Sequence, residues 1–81
     1  AVAYGLAEVS AAAEAGAVTT LLVTDGLITK TRADGTFSAV ERVLHAVDDA
    51  QGTIVIVSSK HEGGRKLDGL GGIAALLRYR L

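Results

Sequence analysis

The chain has no cysteine among its 81 residues, which excludes disulfide scaffolds, zinc ribbons and thiol nucleophiles. It has no run of the roughly 18 consecutive apolar residues that a membrane-spanning helix requires. It lacks the positively charged opening of a secretory signal peptide. It begins Ala1-Val2-Ala3 rather than with Met, which reads as a piece of something longer. It has little excess of charge: eight Lys and Arg stand against nine Asp and Glu, for a net −1. That balance argues against a strongly basic nucleic-acid module. Aromatic residues are scarce, with two Tyr and one Phe.

What is present is aliphatic. Apolar residues make up 49% of the chain, mostly Ala, Val, Leu and Ile. A disordered chain needs low hydrophobicity and high net charge, so disorder is excluded. The length allows one domain at most, burying about 60% of the surface its unfolded form exposes. The charge is uneven. Residues 1–59 carry three basic against seven acidic side chains, and residues 60–81 carry five against two. A basic end on an acidic body suits an acidic protein or a phosphate backbone, although ordinary surface scatter accounts for it more simply.

Leu6, Val9 and Ala13 repeat at helical spacing, which predicts a helix of roughly 11 residues. Gly16 stands where a left-handed residue would end it. Val18 to Thr24 is β-branched and nearly continuous in apolar character, as a buried strand is, and Asp25-Gly26 reads as the turn that closes it. Residues 29–37 are polar, carry a second Asp-Gly and read as a mobile surface loop. Ser38 precedes Glu41 by three residues, the spacing of a capping box. Behind it Val40, Val43, Leu44 and Val47 form an apolar stripe, with Glu41, Arg42, His45, Asp48 and Asp49 on the wet side. That helix should end near Ala50, with Gly52 as its stop. Thr53 to Ser58 reads as a second buried strand. Residues 59–72 are glycine-rich, with room for a short helix around Arg65–Asp68. Ile73 to Leu81 fits a helix through Ile73, Leu76 and Leu77. It equally fits a strand through Ile73, Ala75, Leu77, Tyr79 and Leu81. The alternation of elements makes the fold class α/β, with the first two strands parallel.

No constellation makes a convincing catalytic site. His61 lies past a strand end beside Ser58, Ser59 and Glu62, but neighbouring loop residues cannot fold back into a nucleophile–base pair, and no strained elbow surrounds either serine. His45 pairs with Glu41 one helical turn away, and a metal would need more ligands. Gly63, Gly64, Gly69, Gly71 and Gly72, with Arg65 and Lys66 among them, could cradle an anion, yet match neither common phosphate-loop spacing. Tight turns and close backbone approach explain them otherwise. Asp48-Asp49 reads as a solvated helix end. Residue chemistry supports a non-enzymatic binding domain, without cofactor or metal.

The string His61-Glu62-x-Gly64-x-x-Leu67-x-x-Leu70-Gly71-Gly72-Ile73-Ala74-Ala75-Leu76-Leu77-Arg78-Tyr79 resembles the end of the C-terminal domain shared by Pelota and the class 1 peptide release factors of archaea and eukaryotes. Tyr4-Gly5-x-x-Glu8-Val9-x-x-Ala12 and Gly16-Ala17-Val18-x-x-Leu21-Leu22-Val23-x-Asp25 resemble its opening. Ser58-Ser59-Lys60-His61-Glu62-x-Gly64 is similar to the Pelota form, and the short cysteine-free loop here lacks the insertions of release factors. The Ala- and Val-rich composition suits an archaeal source.

The resemblance implies a three-layer α/β/α sandwich with a mixed sheet, similar to kink-turn-binding ribosomal proteins, whose last segment is a strand. It implies that 1–81 is a single domain, a fragment of the C-terminal domain of a longer cytoplasmic protein, since the family's domain begins upstream of Tyr4. The function implied is mRNA surveillance and ribosome rescue in no-go decay. The partners implied are a translational GTPase related to elongation factor 1 alpha, an iron–sulfur ATPase that splits ribosomes, and the ribosome itself, with no membrane and no DNA. The family's proposed nuclease belongs to an N-terminal domain outside this chain, so no enzyme is expected here. Leu70, Gly71, Gly72 and Ile73, with His61 and Arg78, are the candidate partner-binding residues, Arg80 adding polar contacts. A bulky residue at Gly72 should then weaken binding in a folded domain. The alternatives are the equivalent release-factor domain of translation termination, a kink-turn-type RNA-binding module and a small enzyme.

Overall fold

The computed structural model describes residues 1–79; the expectations for Arg80 and Leu81 lie outside the described residues. The elements run β1 (Val2–Tyr4), α1 (Leu6–Glu14), β2 (Val18–Thr24), α2 (Asp25–Asp34), α3 (Phe37–Asp49), β3 (Thr53–Val57), α4 (Glu62–Gly69) and β4 (Ile73–Leu77). They build one mixed sheet in the order β1-β4-β2-β3. β2 and β3 are parallel, as expected, joined through α2 and α3. β4 runs antiparallel to both of its neighbours. The ambiguous last segment is thus a strand.

The core lies on one face of the sheet. Leu21 and Val23 of β2 and Ile73 and Ala75 of β4 pack against Val9, Ala12 and Ala13 of α1 and Val43 and Val47 of α3. Small α1 residues let that helix approach closely, and β-branched residues suit the pleated surface beneath. Leu27 and Ile28 of α2 close the same layer. α4 lies on the opposite face, where its buried Leu67 borders a surface shared with Leu22 and Ala74.

Helix ends follow backbone chemistry. Gly16 is left-handed at φ 67°, and the N–H groups of Gly16 and Ala17 donate back to Ala13 and Ala12. The carbonyls freed at the end of α1 are thereby satisfied. After α3 the left-handed residue is Gln51, at φ 63°, rather than Gly52. Gly52 serves close packing instead: a Cβ there would lie 2.7 Å from Val47 Cγ1 and 3.0 Å from the Val18 carbonyl oxygen.

Four expectations need correction. The stretch read as a loop is mostly helix: Asp25-Gly26 opens α2 instead of closing β2. Thr24 caps it by accepting the Leu27 N–H at 3.0 Å, Gly35 ends it at φ 82°, and buried Thr31 donates to the Leu27 and Ile28 carbonyls. Its few apolar residues leave almost no periodic signal, and packing supplies the stability that pattern does not. The capping box is not formed. α3 starts at Phe37, so Ser38 is already helical, and the Thr36 cap accepts no side-chain bond there. Thr36 instead donates both its N–H and its hydroxyl to Asp34. β3 is exposed from Thr53 to Ile56 and not buried as expected, because an edge position leaves one flank open. β1 escaped notice because it is three residues long.

Candidate interaction surface

The glycine corner that follows α4 is a tertiary junction. Gly71 and Gly72 are both left-handed, at φ 106° and 79°. Their N–H groups fold back onto the Asp68 and Leu67 carbonyls at 3.1 and 2.8 Å. The Gly72 carbonyl accepts the Thr24 N–H at 2.9 Å. A Cβ on Gly72 would stand 2.9 Å from Leu27 Cβ and 3.2 Å from Thr24 Oγ1. A bulky residue therefore cannot enter without shifting α2, so Gly72 has a structural role that argues against a variant losing binding alone. Ile73, next in line, is fully buried, so no partner reaches its side chain.

Leu70 is different. It caps α4 with half of its surface (50%) exposed. It borders an apolar depression formed with Val2, Tyr4, Leu22, Val57 and Leu76. Sheet register explains the cluster. Val2 stands opposite Leu76 and Tyr4 opposite Ala74 across the β1–β4 pair, while Leu22 stands opposite Ala74 and Val55 on its two sides. These side chains share the face that α4 covers only in part. Tyr4 and Val2 are each 48% exposed and Leu76 43%. Together they leave a contiguous apolar patch exposed on a small domain. Sequence reading found Leu70 but missed Tyr4, Val2 and Leu76, because only the pairing of the chain's two ends brings them together.

The other candidate residues are apart from this patch or held in place. His61 is exposed at the start of α4, and its N–H donates to the Ser58 carbonyl at 3.3 Å. The Ser59 hydroxyl accepts the Gly26 N–H at 3.2 Å. Arg78 points at backbone: Nε donates to the Gly16 carbonyl at 3.1 Å and Nη2 to the Ala50 carbonyl at 2.8 Å. It thus caps the ends of α1 and α3, where cations are favoured. Gly64 is a packing glycine, since a Cβ there would be driven into the Ser58 carbonyl. The ion pair formed on α4 is Lys66–Glu62 at 3.5 Å, exposed and weak, while no Glu41–His45 bridge forms among the described residues. Asp25 accepts the Ser59 N–H at 2.8 Å, which holds its carboxyl below the ordinary value. The Thr36 hydroxyl does the same for Asp34. Among the described residues no cluster of three or more His, Asp or Glu could hold a metal ion.

Fold and surface together define a small mixed-sheet α/β domain with an exposed apolar patch on the sheet face that carries α4. Residues 1–81 match the family model described as eRF1 domain 3, and the chain belongs to that family. Its curated relatives include the Pelota homologue of Thermococcus onnurineus, 52% identical over 99% of this chain. The chain spans about a fifth of that relative's length (21%). The crystal structure of Archaeoglobus fulgidus Pelota superposes with a TM-score of 0.85 at 42% identity, covering 98% of this chain and 24% of that one. S. cerevisiae Dom34, described as a translation termination-like factor involved in RNA quality control and interacting with Hbs1, gives 0.87 at 34%, over 99% and 22%. An archaeal termination factor, aRF1, is more distant at 0.68 and 25%, over 96% and 20%. The chain is thus a domain of the Pelota type, on the archaeal side of the family.

Proposed function

We propose that this domain is the docking module of a Pelota-like ribosome rescue factor, and that it is one part of a longer protein. Its partners are a translational GTPase of the elongation factor 1 alpha type and the iron–sulfur ATPase that splits ribosomes. Its place of action is the cytoplasm, where ribosomes stall; no helix among the described residues is long and apolar enough to cross a membrane. The partners of the relatives support this reading. Dom34 interacts with Hbs1. An archaeal Pelota 52% identical to this chain is described ribosome-bound together with ABCE1.

The observation that carries the proposal is the exposed apolar patch around Leu70 and Tyr4. Half-exposed aliphatic and aromatic side chains beside a buried floor are the usual anchors of a protein interface. Gly71 is exposed beside them and lets a partner approach the backbone. No nuclease chemistry is assigned to these residues.

Calorimetric titration with the paired GTPase, at low and moderate salt, tests the reading. Binding with weak salt dependence is expected, and Leu70→Ser should weaken it roughly tenfold or more while leaving the fold intact. Unchanged affinity in both Leu70→Ser and Leu76→Ser would overturn the assignment of this face. Binding that instead falls steeply with salt and goes to structured RNA would move the function to nucleic acid.

A further inference from the structure

β3 occupies the edge of the sheet, paired with β2 on one flank, and no strand among the described residues pairs with the other. Its sequence is Thr53-Ile54-Val55-Ile56-Val57. Protected edges carry a charge, a proline, a bulge or a covering element. β3 has no charged residue and no proline, and its ladder with β2 runs unbroken from Thr53 to Val57. Ile56 is 53% exposed, and Ile54 and Val55 also reach solvent. A strand so apolar on both faces, with a free row of backbone donors and acceptors, has the chemistry of a pairing site rather than of a solvated edge.

We propose that β3 pairs with β3 of a second copy of this chain, antiparallel about a twofold axis at Val55, joining two sheets into one of eight strands. The strand is complementary to itself in that register. Val55 meets Val55, Ile54 meets Ile56 and Thr53 meets Val57, so apolar and β-branched side chains oppose one another on both faces. Ile54 borders Phe37 and Leu44 beside α3, so the Ile54–Ile56 pairs extend the layer under α3 in each copy. Charge selects the antiparallel sense. The acidic end of α3, Asp48-Asp49, precedes β3, and Lys60 follows it. Antiparallel pairing carries each acidic end toward the basic end of the other copy, whereas parallel pairing would set like beside like. A twofold interface of this kind is closed and does not propagate.

This proposal is independent of docking at the Leu70 face, and its test separates the two. Sedimentation of the wild-type chain should show a monomer converting to a dimer with concentration. Ile56→Lys should remain monomeric with an unchanged circular dichroism spectrum, because a half-exposed position tolerates Lys while the paired edge does not. Leu76→Lys, on the open face, should still dimerise. Val55→Cys gives a sharper readout, since the chain has no other cysteine. Opposed residues of an antiparallel pair lie about 5 Å apart, within disulfide range, so oxidation should trap a covalent dimer. Thr53→Cys, whose two copies would stand roughly 14 Å apart along the strands, should not crosslink. A wild-type monomer at every concentration reached overturns the proposal. So does a dimer abolished by Leu76→Lys and not by Ile56→Lys, or equal crosslinking at both cysteine positions.

Discussion

The Thr24 hydroxyl donates to an Asp68 carboxylate oxygen at 2.6 Å and accepts the Leu27 N–H at 3.0 Å. Thr24 is the last residue of β2 and the cap of α2, and Asp68 comes from α4 on the other sheet face. One fully buried hydroxyl therefore ties the two helical layers together at the end of the central strand. Thr24→Val keeps the shape and removes both bonds. It should cost about 2 kcal/mol, through a lost cap and a lost hydroxyl–carboxylate bond. Thr24→Ser should cost less than half as much. Urea unfolding of the two variants checks the ratio; equal losses would mean that packing of the methyl group matters more than the hydroxyl.

Glycines 63, 64 and 72 should respond in different ways. A Cβ at Gly63 meets nothing, and the residue is helical, so Gly63→Ala should stabilise by roughly 0.5–1 kcal/mol. At Gly64 the same methyl strikes the Ser58 carbonyl, so α4 must lift off the β3–α4 loop and the fold weakens. Gly72→Val combines a left-handed backbone with contact on Leu27 and should cost on the order of 3 kcal/mol. Thermal unfolding orders the three. A Gly72→Val protein as stable as wild type would restore that glycine to a pure recognition role.

Arg78 should behave as a clamp. Its two carbonyl contacts come from Gly16 and Ala50, just past the ends of separate helices. Arg78→Ala should lose about 1 kcal/mol. Arg78→Lys should rescue little, because one ammonium does not reproduce a planar fork reaching two acceptors. Denaturant midpoints decide this, and GTPase titration of the folded Arg78→Ala protein should match wild type. A binding loss without a stability loss would return Arg78 to the interface.

Acid should loosen the junction between α2 and the β3–α4 loop. Asp25 titrates below its ordinary value because the Ser59 N–H bonds its ionised form. A carboxyl depressed in the folded state contributes stability that is fully present above the unfolded pKa of about 3.9 and is lost as pH falls through the lower folded value. Asp34 acts in the same direction through Thr36. Melting temperature should thus be flat near neutrality and fall below about pH 4. Asp25→Asn should shallow that fall; an identical acid profile in the variant would remove Asp25 from the account.

Much of the framework was legible in residue order. Val18–Thr24 announced β2 by a run of Val, Thr and Leu rich in β-branched residues, and Leu6, Val9 and Ala13 announced α1 by helical spacing. The wet and dry sides of α3 were assigned correctly, with Val40, Val43 and Val47 buried and Glu41, Arg42 and His45 exposed. α2 was illegible because its cap reads as a turn: Thr24-Asp25-Gly26 fits either. β3 shows the reverse failure. Its five residues look like β2, and nothing local distinguishes a central strand from an edge strand.

Sequence by itself determined the α/β class, the parallel β2–β3 pair and the family, and it singled out Leu70 as a candidate, since each rests on local pattern or on a contiguous motif. Tertiary structure alone decided the rest. Placing β4 between β1 and β2 joined Val2 and Tyr4 to Leu76 and Leu70 on one apolar face. It also buried Ile73, turned Arg78 onto the helix ends and left β3 at the rim. Burial and exposure belong to strand order, and strand order is set by which residues distant in the chain pair with one another.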